Sequence, residues 1–78
     1  MNVSDALRQA MVVRKITQAK LAERLEVSQP AIASVLSIGN PQARILMRIL
    51  GALDYRLVAL PAEVEVPEEG LVLEPGKH

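Results

Sequence analysis

Residues Ile16 to Leu36, ITQAKLAERLEVSQPAIASVL, hold two short amphipathic segments separated by a break too tight for a free loop. No other feature constrains the fold as strongly. Gln18, Ala22, Glu26, Ile32 and Val35 stand at relative positions 1, 5, 9, 15 and 18. That spacing belongs to a helix-turn-helix, in which two helices cross steeply over a short turn. Ala22 is small, so the two helices can approach closely there. Val27 is expected to plug the angle between them. Glu26 occupies the turn position where glycine often supplies a positive φ.

The flanking segments extend the helical pattern. Ser4 is the expected N-cap of a first helix over about 5–14, with Leu7, Ala10, Met11 and Arg14 at helical spacing. Val12 and Val13 widen its apolar arc, and Lys15 follows with no glycine to ease the turn. Thr17 is placed to cap a second helix near 18–25, with Leu21 and Leu25 on one side. Ser28 or Gln29 caps the third, and Pro30 lies in its first turn, where the missing N–H costs nothing. Ile32, Val35 and Leu36 form its inner side, leaving Ala31, Ala33, Ser34 and Ser37 outward. In Gly39-Asn40-Pro41, Gly39 ends one segment, Asn40 caps the next and Pro41 begins it. Ile45, Leu46, Ile49, Leu50 and Leu53 then predict a fourth helix over about 42–53, with Gly51 a mild cost inside it.

Beyond Asp54 the pattern changes. Tyr55 to Leu60 is short, apolar and closed by Pro61, and reads as a strand. A lone strand cannot satisfy its backbone, so its own copy in a second subunit is the nearest expected partner. Val64-Glu65-Val66 alternates and is a candidate second strand. Residues 67–78 are rich in proline, glycine and glutamate, and are expected to be mobile. Within them, Leu71-Val72-Leu73 is an apolar triplet, a possible docking point that more often belongs to a frayed tail. The expected organisation is a domain over 1–60 and an acidic, flexible tail over 61–78.

Composition narrows the function. The chain has no cysteine, which removes disulfides and thiolate metal sites. Its one histidine, His78, has no second histidine to pair with, so no metal is expected. With no paired acids in a cleft either, an enzyme is not expected, nor is a cofactor. No apolar run approaches a membrane span and the first residues lack a signal-peptide pattern, so the expected location is the cytoplasm. Phe and Trp are absent and Tyr55 is the only aromatic, so the core is aliphatic and lacks platforms for stacking single-stranded bases. Net charge is zero, yet residues 1–60 carry eight basic groups against four acidic ones, and residues 61–78 carry one against five. A basic body with an acidic tail is compatible with a polyanion partner and equally with ordinary surface charge.

Thr17-Gln18-Ala19, Leu21-Ala22 and Val27-Ser28-Gln29 together resemble the phage repressor and Cro family, also called the Xre family. The resemblance is closest over Thr17 to Leu36 and extends loosely over 3–60. It implies an all-α fold: a compact bundle of four or five helices whose third helix lies in the major groove, with dimers on half-sites about 34 Å apart. It also implies roles. Gln18 would contact a phosphate and brace the next helix; Gln29 would read a base, and a glutamine amide can pair N7 and N6 of adenine. Ser28, Ala31, Ser34 and Ser37 face the groove in this reading. Asn40, Gln42 and Arg44 begin the fourth helix, and Lys15, Thr17 and Lys20 flank the entry to the second, where phosphates would lie. No Arg or Lys falls between Arg24 and Arg44, so the reading helix is uncharged and Glu26 stands where the family usually has glycine. ALDYRLVALP more weakly resembles the ending of HipB-type antitoxins, which implies cross-dimer pairing through Tyr55, Leu57, Val58 and Leu60.

The expected function is a sequence-specific, double-stranded DNA-binding repressor acting as a homodimer on an inverted repeat. The alternative is an antitoxin that neutralises a partner protein through residues 61–78 and represses its own operon. A third reading is a degenerate fold used only for protein contact.

Overall fold

Asn2, rather than Ser4, caps the first helix. In the computed structural model, which describes residues 2–39 and 41–73, the Asn2 side chain accepts the Asp5 N–H at 2.8 Å. The helix therefore starts earlier than its apolar spacing predicts, and Ser4 turns inward. There the Ser4 hydroxyl donates to the Leu36 carbonyl, inside the core. Among the described residues there are four helices and no strand: α1 (Val3–Arg14), α2 (Gln18–Leu25), α3 (Gln29–Ile38) and α4 (Ala43–Ala52). None of these helices, among the described residues, is long and apolar enough to cross a membrane.

The boundaries of α2 and α3 follow their local signals. Thr17 Oγ1 accepts the Lys20 N–H at 3.1 Å, and Ser28 Oγ accepts the Ala31 N–H at 3.3 Å. Ser28 is thus the cap of α3, and Gln29 its first residue. Gly39 ends α3 with a φ of 77°. Asn40, expected to cap α4, lies outside the described residues. Pro41 does not begin the helix: Gln42 is extended and occupies the N-cap position, and its carbonyl accepts the Leu46 N–H.

Three helices end in the same turn. Lys15, Glu26 and Asp54 have φ values of 57°, 58° and 63°. After each, an apolar residue sends its N–H back five residues: Ile16 to Met11 at 2.9 Å, Val27 to Ala22 at 3.0 Å, and Tyr55 to Leu50 at 2.8 Å. The left-handed residue bonds back three, as in Lys15 to Val12. This is the Schellman motif, made here without glycine. A left-handed backbone costs a side-chain-bearing residue roughly 1 kcal/mol.

The core runs between the helices as one aliphatic cluster. Leu7, Ala10, Leu21, Ala22, Ile32, Leu36, Leu46, Ile49, Leu50 and Leu53 are buried. α2 packs on both α3 and α4, and α1 packs on α3. Ala22 is buried as its small size predicts. Val27 corrects an expectation: it is 39% exposed, because the turn returns its amide to Ala22 while its side chain stays at the rim. Ile45, counted with the apolar period of α4, is also largely outside the core.

The segment after α4 carries no helix, and residues 55–60 have no strand pairing within the described chain. Val64-Glu65-Val66 is not a strand either. Val64 N–H bonds the Pro61 carbonyl at 3.0 Å, and Gly70 N–H bonds the Pro67 carbonyl at 2.8 Å, so two turns fold the chain back. Leu71 and Leu73 then pack, half-buried, against the core, with Val72 between them exposed. Residues 67–73, expected to be mobile, thus return apolar side chains to the body. Residues 74–78 lie outside the described range.

Candidate nucleic-acid interface

The caps and turns that fix α2 and α3 also decide which side chains face out. Burying Ile32 and Leu36 leaves Ala31, Ser34 and Ser37 exposed on the far side of α3; Ala33 is exposed on its flank, and Gln29, on the same side as Ile32, is exposed at the first turn. Ser28 spends its oxygen on the cap and keeps its hydroxyl proton for an outside acceptor. Thr17 stands likewise at the start of α2. Ser37 is different: its hydroxyl already donates to the Ser34 carbonyl at 3.0 Å, so it faces outward as an acceptor. Ala31 and Ala33 contribute only methyl groups.

Gln18 and Gln29 each occupy the first position of their helix. Gln29 is exposed and Gln18 half-buried. No hydrogen bond joins them among the described residues, so a bracing contact between the two glutamines is not formed in this structure. Lys15, Thr17 and Gln18 do come together, on the rim of one open cleft of about 480 Å³ that Arg8, Met11, Val12, Ile16 and Leu36 complete. Lys20 is exposed and lies 3.6 Å from Glu23, one turn along α2. Gln42, at the N-cap of α4, makes no side-chain cap bond, and Arg44 two residues on is exposed. Of the residues expected to pair two copies, Tyr55 is half-buried, whereas Leu57, Val58 and Leu60 are 44%, 56% and 45% exposed.

Three arginines have roles that sequence reasoning missed. Arg24, in the last turn of α2, donates to the Ala52 carbonyl at 2.9 Å. Arg48 of α4 donates to the Leu25 carbonyl at 3.3 Å. Arg14 donates to the Asp54 carbonyl at 3.2 Å and lies 4.8 Å over the Tyr55 ring. Each guanidinium meets carbonyls that a helix end leaves without partners. The available signal was the placement of Arg14 and Arg24 in last turns. Their charge remains, but their positions are tied to helix ends. The cations of the body not engaged this way are Arg8, Lys15, Lys20, Arg44 and Arg56.

No family model matches the chain, and neither a curated protein nor a solved structure does.

Proposed function

We propose that the chain is a sequence-specific, double-stranded DNA-binding repressor that acts as a homodimer. One observation carries this reading: with Ile32 and Leu36 buried, α3 keeps Gln29 at its first turn, and Ala31 and Ser34 further along, open to solvent. A helix held that way fits the major groove, where Gln29 is matched to adenine and Ala31 to a thymine methyl. Phosphates are met around α3 by Thr17 and Ser28 hydroxyls, by Lys15 and Lys20, and by Arg44 in the first turn of α4. Because α3 itself carries no cation, affinity rests on these flanking groups and on the avidity of two copies.

The second copy docks through residues 55–60. Tyr55 is fixed by the hydrogen bond its N–H donates to the Leu50 carbonyl and by Arg14 over its ring, so the segment leaves the body in a set direction. Leu57, Val58 and Leu60 follow it, exposed and with no strand pairing among the described residues. Pairing with the same segment of a second copy covers both. The antitoxin reading has less support, since Leu71 and Leu73, the apolar residues of the tail proposed for it, lie against the chain's own core.

The test is selection of bound sequences from random double-stranded DNA, with the mass of the complex measured in the same buffer. The expected result is an inverted repeat bound by two chains, with affinity falling steeply as salt rises. Recovery of no enriched sequence would remove the repressor reading.

A further inference from the structure

The cleft between α1 and the start of α2 has a chemistry that the DNA reading does not use. Met11 and Leu36, both nearly buried, form its floor together with half-buried Ile16. Val12 walls it and is 76% exposed. Arg8 and Lys15, both exposed, place cations on its border. Its volume of about 480 Å³ falls in the range of small-molecule sites. No aromatic residue lines it, so it offers a nucleobase or aromatic acid nothing to stack on. Half of its lining residues, Met11, Val12, Ile16 and Leu36, are apolar, and the other half carry hydrogen-bonding groups. An aliphatic floor bordered by two cations matches an aliphatic chain ending in an anion.

From these observations we infer that the cleft is an effector site for an amphipathic carboxylate, a medium-chain fatty acid being the simplest member. The chain lies along Met11, Val12 and Ile16, and the carboxylate meets Arg8 and Lys15. The consequence for DNA rests on the repressor reading: Lys15, Thr17 and Gln18 share the rim, so a bound carboxylate sets a negative charge where a phosphate would lie. Occupancy therefore weakens operator binding.

The test is calorimetric titration of the full chain with decanoate, without DNA, beside hexanoate and decanol. Saturable binding of one decanoate per chain is expected. Hexanoate has four fewer methylenes, and at about fourfold for each one withdrawn from water it binds at least tenfold more weakly. Decanol, lacking the anion, also binds more weakly. Val12→Glu puts a carboxylate on the exposed wall and abolishes binding, with circular dichroism confirming an unchanged fold; Arg8→Gln weakens decanoate and leaves decanol unaffected. No saturation, equal binding of decanol and decanoate, or full binding by Val12→Glu overturns the site. A second titration adds decanoate to the operator complex. Release of DNA over the range that fills the cleft supports the regulatory role, and a complex that holds while the cleft fills overturns it. A chain that binds decanoate but selects no DNA would refute the repressor reading and leave the site standing.

Discussion

Arg24 and Arg48 cap each other's helices: Arg24 of α2 donates to Ala52 at the end of α4, and Arg48 of α4 donates to Leu25 at the end of α2. The pair ties the C-terminal turns of the two helices together. Replacing either arginine with alanine is expected to cost about 0.5–1.5 kcal/mol in urea unfolding. Because both act on one helix pair, the double variant should depart from additivity by about 0.5 kcal/mol or more. Strict additivity would show that the two bonds act independently.

Ser4 and Leu36 form a second tie, buried and between helices distant in sequence. Ser4→Ala leaves the Leu36 carbonyl short of a partner where water cannot replace it. A loss of about 1–2 kcal/mol is expected, read as a lower unfolding midpoint at unchanged slope.

Glycine content offers two opposite tests. Glu26→Gly relieves a left-handed backbone and should stabilise the fold by up to about 1 kcal/mol. Gly51 lies inside α4, and an added Cβ there meets nothing within 4 Å. Gly51→Ala should therefore gain about 0.5–1 kcal/mol, measured as a rise in thermal midpoint.

On the proposed operator, Gln29→Ala should cost about 1–3 kcal/mol and relax preference at one base pair, whereas Arg44→Ala should weaken all sequences alike and lower the salt slope by about one. Gel-shift titrations across single-base operator variants separate the two. An unchanged shift for Gln29→Ala would refute its base-reading role.

Leu57→Asp and Leu60→Asp place charges on the exposed segment after Tyr55. Both should leave the helical spectrum intact while shifting sedimentation from two chains to one. A dimer that persists in the double variant would place the interface elsewhere.

How much was legible in the sequence depended on the range of the interaction concerned. The ends of α2 and the start of α3 were readable because Thr17 and Ser28 cap amides three residues away and Glu26 makes its turn with immediate neighbours. The start of α1 was not, since Asn2 and Ser4 are both good caps and only Leu36, far along the chain, explains why Ser4 turns inward. Val27 and Ile45 fit the apolar pattern yet sit at the surface, because periodicity gives a face and not a depth. The arginines on helix ends look like ordinary surface cations until α2 and α4 are packed together. For the candidate interface, Gln29 is exposed because it stands at the first turn of α3, and the outward position of Ser34 followed from the inward position of Ile32 and Leu36. The hydrogen bond that turns the Ser37 proton back into its own helix did not.

The return of Leu71 and Leu73 to the core moves the boundary of the folding unit. A fragment trimmed after Leu60, where the helix-turn-helix resemblance stops, would strip two aliphatic side chains from the body and bare the surface beneath them. Any excised version intended for crystallisation or fusion should therefore run through Leu73, and a shorter one should melt earlier despite keeping all four helices.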